Sequence, residues 1–151
     1  MKIFKKMSAG KIFFVIYFIS LLVGCNEISQ GLQRKKFEFL YKLNNYSAIF
    51  REYTNEINNF KDIEFYQGRM KKLYEDINNI APVEGYGYSR VLKDKFLAAI
   101  DENINTLNSF QKKSFQQSDY IRKEYEIIIM NERADNFIKE LNDEISKVGK
   151  E

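Results

Sequence analysis

The side chains of this chain that are best suited to proton transfer are carboxylates that stand next to tyrosines. Glu52-Tyr53 and Glu124-Tyr125-Glu126 pair a carboxylate, which can accept a proton, with a phenol, which can donate one. Such neighbours could act as a general base and a general acid. On helices with the apolar spacing of this chain, the same pattern favours a hydrated Glu beside a Tyr at the edge of the core.

Other catalytic equipment is missing from the sequence. Its 151 residues include no His, no Trp and one Cys, which excludes most zinc sites, Ser-His and Cys-His nucleophile pairs and the Glu-x-x-His pairs of di-iron bundles. Gly85-x-Gly87 lacks the third Gly and the Lys of a phosphate-binding loop, and Ser89 does not lie in a G-x-S-x-G turn. The sequence therefore predicts a protein that is not an enzyme, with no catalytic residue, metal or cofactor.

Composition places the chain in the globular class. Hydrophobic residues make up 44% and charged residues 30%, with seven Gly and one Pro. These values exclude a collagen-like or Pro/Gly-rich disordered chain. The length fits a single small domain.

The first residues have the character of a targeting segment. Residues 1–11 carry four Lys and no acid, and residues 12–23 (IFFVIYFISLLV) form an apolar run. This order is typical of a secretory signal. A membrane-spanning helix is the alternative, but it needs about 20 apolar residues, and this run is shorter.

The end of the apolar run reads Leu22-Val23-Gly24-Cys25. This tetrapeptide resembles the lipobox of bacterial lipoproteins. The resemblance implies that residues 1–24 are a signal peptide cleaved between Gly24 and Cys25, that the Cys25 sulfur carries diacylglycerol, and that its new amine is acylated, for example with palmitate. Two acyl chains would hold the protein stably on the membrane or cell envelope, facing outside the cytoplasm. The single Cys would then be blocked.

Removal of the leader changes the charge of the chain. The full chain has 24 basic and 21 acidic residues, and four of the basic residues lie in the leader, which leaves 20 against 21 and a net charge of −1. A nucleic-acid-binding domain is typically basic, with a pI above about 9. We therefore predict a membrane as partner through Cys25, no nucleic acid, and an unidentified protein as a further partner.

Residues 25–35 are predicted to be the lipidated Cys and a tether, and a helical domain is predicted over 36–149. Its first apolar residues recur at spacings of four and three, the pattern of a helical stripe that packs in a bundle. The first stripe consists of Phe39, Leu43, Tyr46, Phe50, Tyr53, Ile57 and Phe60, and the second of Ile63, Tyr66, Met70, Leu73, Ile77 and Ile80. Residues 36–80 could form one helix or two. The change of phase between Phe60 and Ile63, with Asp62 placed to cap, favours two.

The only strong break follows at residues 81–89, which contain the sole Pro and two Gly. Ser89 is predicted to be the N-cap of the next helix. Two more stripes follow: Leu92, Phe96, Leu97, Ile100, Ile104, Leu107 and Phe110, then Ile121, Tyr125, Ile128, Ala134, Ile138, Leu141, Ile145 and Val148. The predicted fold is all-α, an elongated antiparallel bundle of three or four long helices without a sheet.

Several short sequences in this region resemble small helical lipoproteins of unknown function from Bacillus-like bacteria. They are Asn45-Tyr46-Ser47, Glu52-Tyr53-Thr54, Ala81-Pro82 and Leu92-Lys93, within residues 20–110. The resemblance implies a secreted helical bundle with no known activity.

Two tyrosines, Tyr86 and Tyr88, lie in the break and outside every helical stripe. Because Tyr is enriched at interfaces, we predict them as surface contact residues. If residues 36–80 form two helices, the loop lies at the membrane-proximal end, where Tyr rings are favoured at the level of the lipid headgroups. The alternative is that the rings fold back and cap the end of the bundle.

The sequence thus favours a membrane-anchored lipoprotein whose helical bundle is a non-catalytic binding module on the cell envelope. An envelope exclusion, immunity or structural factor from a mobile element is the alternative.

Overall fold

The computed structural model describes the backbone of residues 9–57, 62–111 and 118–150 and the side chains of 29–57, 62–110 and 121–150. Four helices account for most of it: α1 (Ala9–Glu56), α2 (Ile63–Asn78), α3 (Tyr88–Gln111) and α4 (Ser118–Val148). None of these described residues forms a strand. The predicted all-α fold is confirmed. Phe60, which ends the first predicted stripe, lies outside the described residues.

The chain divides into two compact units, Met1–Lys35 and Lys36–Glu151. In the first unit, the chain is helical from Ala9 onward, including the predicted tether. The side chains of the predicted lipid site, Cys25 among them, lie outside the described residues. No helix in the part of the chain that the structure describes is both long and apolar enough to cross a membrane.

The second unit is a four-helix bundle whose neighbouring helices run antiparallel. Between α3 and α4, Lys95 pairs with Glu140 at 2.6 Å and Glu102 pairs with Arg133 at 2.8 Å, so residue numbers rise on one helix as they fall on the other. Gln67 of α2 donates to Asn108 of α3 at 3.1 Å. Arg51 of α1 pairs with Asp135 of α4 at 3.0 Å. These contacts connect the helices around one core.

Helices α1 and α2 are separate, as the phase change predicts. Helix α1 ends at Glu56 and α2 begins at Ile63, after Asp62 at the N-cap position. The Asp62 side chain makes no capping hydrogen bond, so only the predicted position is confirmed. The two helices are joined instead by the Tyr66 hydroxyl, which donates to Glu56 at 3.4 Å.

The predicted stripes of α1, α2 and α3 form the core together with residues of α4. All seven predicted residues of the α3 stripe are buried. At the centre, the Phe96 ring stacks on Phe137 with centroids 4.1 Å apart and meets Phe50 edge-on at 5.8 Å. These three rings come from α3, α4 and α1. Offset and edge-on contacts of this kind stabilise a core beyond the area that they bury.

The predicted stripe of α4 is wrong in its first half. Ile121, Tyr125 and Ile128 are 76%, 63% and 53% exposed. The buried face of α4 lies on a different side of the helix from the predicted one. Only that side carries an unbroken series of buried or half-buried residues at spacings of four and three. That series contains buried Lys123, half-buried Ile127, and then Met130, Ala134, Phe137, Leu141, Glu144 and Val148, all buried.

The connection between α2 and α3 is held by Ser89, but not as a helix cap. Helix α3 already begins at Tyr88, so the predicted N-cap is wrong. The Ser89 hydroxyl donates to the Tyr86 carbonyl at 2.6 Å and accepts from the Val83 amide at 2.9 Å. Gly85, at φ 80°, adopts the left-handed conformation that this turn requires.

Lys93 closes the end of α2. Its ammonium group donates to the carbonyls of Asn78 at 2.6 Å and Ile80 at 2.9 Å. Carbonyls at a helix C-terminus lack partners within the helix, and a cation there is favourable. The second turn of α3 thereby fixes the start of the loop.

Candidate functional site

The loop tyrosines predicted as surface contacts are turned into the bundle. Tyr86 is buried, and its hydroxyl donates to Glu144 of α4 at 2.6 Å. Tyr88 is half-buried, and its hydroxyl donates to Glu140 at 2.5 Å. The prediction of an exposed Tyr86 is therefore wrong, and the alternative, in which the rings cap the bundle end, describes the structure. The rings turn inward because each phenol hydroxyl can donate a hydrogen bond to a carboxylate on α4.

We call Tyr86, Tyr88, Glu140 and Glu144 the loop clamp. The two glutamates lie one turn apart on α4, so they face the loop together. Each has a cation as well: Lys95 donates to Glu140 at 2.6 Å, and Lys147 approaches Glu144 at 3.3 Å. The loop clamp therefore connects the loop, α3 and α4 through two carboxylates.

Hydrogen bonds dominate the electrostatics of the loop clamp. The pKa of Glu140 is lowered, mainly because Lys95 and then Tyr88 donate to its carboxylate. The pKa of Tyr88 is raised because ionisation would break the bond to Glu140 and place two anions together. The same bond to Glu140 raises the pKa of Lys95. Each of these pKa shifts favours the same protonation states, in which Glu140 is an anion, Lys95 is a cation and Tyr88 is a neutral donor.

The loop clamp lies at the same end of the bundle as the start of the second unit. The ammonium group of Lys36, the first residue of that unit, lies 5.5 Å from the centroid of the Tyr86 ring. This is the place predicted for the loop if α1 and α2 are separate helices. Nearness to a membrane depends on Cys25 and stays a prediction.

The Glu–Tyr neighbours considered for acid–base chemistry do not converge on one site. Glu52 is exposed, whereas Tyr53 is half-buried beneath the guanidinium of Arg69, which lies 5.1 Å from its ring centroid. Glu124 and Tyr125 are exposed on α4. The predicted hydrated Glu beside a Tyr at the edge of the core describes Glu52 and Tyr53 but not Tyr125, which is 63% exposed.

A groove of about 280 Å³ runs between α3 and α4, over Ala98 and Ala99. Its charged walls are joined across the helices, by Lys95 with Glu140 and by Arg133 with Glu102. Elsewhere between the same helices, buried Asn103 donates to the Met130 carbonyl at 3.3 Å and accepts from Arg133 at 3.1 Å. These polar groups hold the two helices in register.

The exposed residues Ile121, Tyr125 and Ile128 form a strip on the outward side of α4, which we call the outer α4 strip. Its members are separated by four and three residues, so they share one side of the helix. The apolar spacing in the sequence predicts that these three residues lie in the core, which is wrong. The sequence feature that predicts the buried face correctly is the longer apolar series that includes Met130, Phe137 and Leu141.

Comparison with known proteins identified no relative of this chain. No family model matches the sequence, no curated protein is significantly similar to it, and no solved structure matches it significantly. Within the described residues, no group of three or more His, Cys, Asp or Glu side chains could hold a metal ion.

Proposed function

We propose that this protein is a bacterial lipoprotein whose helical bundle is displayed outside the cytoplasm as a non-catalytic interaction module. The observation that carries the proposal is the order of the first 25 residues: four Lys without an acid, an apolar run, and Leu22-Val23-Gly24-Cys25. A thioether-linked diacylglycerol on Cys25 would supply two acyl chains, and an acylated amine would supply a third. Two acyl chains give stable membrane attachment where one is marginal.

The polar contacts of the bundle support a role in display rather than catalysis. Glu140 and Glu144 hold the loop, Asn103 and Arg133 join α3 to α4, and Lys93 closes α2. Each of these groups has a partner within the bundle, and these contacts stabilise its fold.

The outer α4 strip supports an interaction role. Three large apolar side chains, each more than half exposed, follow one another at the spacing of a helix-pairing seam. A strip of this geometry fits an amphipathic helix of a partner protein.

Lipidation is tested by Cys25→Ser in cells fed an alkyne-tagged fatty acid, with Ser20→Ala as a control that keeps the Cys. The wild type and Ser20→Ala should incorporate the tag and lose the leader. Cys25→Ser should remain unlabelled, as an unprocessed precursor or as a chain released from the membrane fraction. Equal labelling of Cys25→Ser and wild type would overturn the proposal.

A further inference from the structure

A second groove lies between α2 and α3, and we call it the α2–α3 groove. Its volume is about 210 Å³, and it is lined by Lys71, Tyr74 and Glu75 of α2 and by Asp101 and Ile104 of α3. Ile104 is buried and Tyr74 is half-buried, whereas the three charged residues are exposed. Sites for drug-sized ligands measure about 300–1,000 Å³. The α2–α3 groove is smaller and has room for one side chain or a small ion.

Two carboxylates and one ammonium group border the α2–α3 groove. Asp101 accepts a hydrogen bond from the neutral side chain of Asn105 at 3.2 Å. Lys71 and Glu75 are one turn apart on α2, but within the described residues neither side chain has an ion-pair partner. The lining residues therefore carry a net charge of −1, and neither carboxylate is neutralised by a cation of this chain.

The charged residues around the α2–α3 groove leave this balance unchanged. Within one turn of its lining residues, four more side chains are charged. Lys72 and Asp76 have opposite signs. Arg69 pairs with a glutamate of α1 at 3.9 Å, and Glu102 pairs with an arginine of α4 at 2.8 Å, so both are engaged on other sides of the bundle. The groove complements a cation.

The apolar part of the groove indicates which cation fits. A side chain with an aliphatic stem can cover Ile104 and the Tyr74 ring while its charged head stays at the rim. Glu75 and Asp101 stand on different helices, so the head has an acceptor on each wall. A guanidinium group is planar, presents five donors and is more weakly hydrated than an ammonium group. It also forms the stronger, bidentate bonds to carboxylates. Arginine therefore fits better than lysine.

Gly68 favours a cation that is carried by a protein. It is exposed and lies one turn before Lys71 on the same side of α2. A Cβ at this position would meet no atom within 4 Å, so packing within the described part of the chain does not require a glycine there. Glycine is unfavourable inside a helix, but it lets another backbone approach closely. A partner's backbone can lie against α2 at this point.

We propose that the α2–α3 groove receives an arginine side chain of a partner protein. The proposal rests on the proposed function, because it supposes that the bundle binds a partner, and it deepens that function by naming the chemistry that the partner presents. Glu75 and Asp101 bind the guanidinium group, and Ile104 and Tyr74 contact the stem. Lys71 opposes binding, since its charge has the same sign as that of the guanidinium group.

The test uses the mature polypeptide without its lipid, residues 26–151, so that binding does not depend on acylation. This chain retains the whole described core, which lies between Phe39 and Val148. The probe is N-acetyl-arginine amide, added at about 0.15 M salt, where attraction between distant charges is screened. We expect saturable changes in the amide chemical shifts of Tyr74 and Ile104. Guanidinium chloride lacks the stem and N-acetyl-norleucine amide lacks the cation, so each should bind at least about tenfold more weakly.

The decisive comparison is between two double variants of equal charge. Glu75→Gln with Asp101→Asn should weaken binding of the probe about tenfold, since two ion pairs are lost. Glu52→Gln with Asp143→Asn removes two exposed carboxylates elsewhere on the bundle and should change binding less than about twofold. Lys71→Gln should strengthen binding about two- to threefold. If the first double variant unfolds, Glu75→Gln alone replaces it, with Glu52→Gln as its control.

A different result overturns the arginine site. Equal losses in the two double variants would show general attraction by net charge, and guanidinium chloride binding as well as the probe would show that the apolar floor has no part. Free arginine binding more tightly than the blocked probe would assign the groove to a free amino acid and not to a partner's side chain. Absence of saturable shifts would exclude the site altogether. None of these outcomes bears on lipidation, which the Cys25→Ser experiment decides separately.

Discussion

At the scale of single residues, Tyr86 shows how a loop side chain becomes part of the core. Its hydroxyl donates to Glu144, which is only 8% exposed. Tyr86→Phe keeps the ring but removes the donor, leaving a buried carboxylate oxygen without that partner. Loss of one partner from a buried polar group costs about 1–3 kcal/mol. We expect the free energy of unfolding, measured by urea denaturation, to fall by that amount.

A matched control for this change is Tyr41→Phe, because Tyr41 is 67% exposed on α1. The control should alter the free energy of unfolding by less than about 0.5 kcal/mol. If Tyr86→Phe is as mild as Tyr41→Phe, the bond to Glu144 does not contribute to stability.

Glu140 makes the loop clamp sensitive to acid. Its pKa is lowered in the folded protein, mainly by the hydrogen bond from Lys95. Folding therefore favours the carboxylate, and this stability is present above the pKa of the unfolded glutamate and is lost as the pH falls through the lowered folded pKa. We expect the urea midpoint to decrease between about pH 5 and about pH 3, and to decrease less in Glu140→Gln. An identical pH profile in the variant would contradict this role.

The sequence could not predict the partners of the loop tyrosines. Glu144 follows Tyr86 by 58 residues, and Glu140 follows Tyr88 by 52. No local pattern joins positions so far apart, so the sequence leaves both surface contact and capping of the bundle end open for these tyrosines. The residue type of Ser89 predicts a helix cap. Its hydroxyl instead bonds back to the loop, which depends on the conformation set by Gly85.

At the scale of elements, the buried face of a helix can be predicted when its apolar residues fall on one side only. Helix α3 has a single phase, and its seven predicted core residues are buried. Helix α4 has two, because Ile127-Ile128-Ile129-Met130 places apolar side chains around the whole helix. The buried face of α4 also contains Lys123 and Glu144. Because these side chains are charged, apolar spacing does not predict that they are buried. The polar bridge from Asn103 was missed in α3 for the same reason.

The two phases of α4 predict opposite outcomes for neighbouring substitutions. Met130 is fully buried, and Ile128 is 53% exposed. Met130→Ala should lower the free energy of unfolding by about 2–5 kcal/mol through lost burial and a cavity. Ile128→Ala should lower it by less than about 0.5 kcal/mol. The two variants are compared by urea denaturation under one condition.

A larger loss of stability in Ile128→Ala than in Met130→Ala would support the buried face predicted from the sequence, with Ile128 in the core. Two large effects would mean that the outer α4 strip is covered in solution, since an exposed side chain has little burial to lose. The comparison thus checks the position of the strip on which the interaction role depends.

At the scale of the whole molecule, the described core belongs to one unit. Its buried apolar residues begin at Phe39 and end at Val148, inside Lys36–Glu151. The fold class and three of the four stripes follow from periodicity in this part of the chain. The proposed anchor rests instead on the residue types of the first 25 positions, and its inference does not depend on packing.

A unit that contains its own core should fold without the residues that precede it. We expect residues 36–151 to give a helical circular dichroism spectrum and a single cooperative urea transition. The midpoint should agree with that of residues 26–151, because the described core and the loop clamp are common to both. Chelator should leave it unchanged, since the bundle is stabilised by apolar packing, hydrogen bonds and ion pairs. A broad transition, or a midpoint well below that of the longer chain, would show that residues 26–35 contribute to the fold and act as more than a tether.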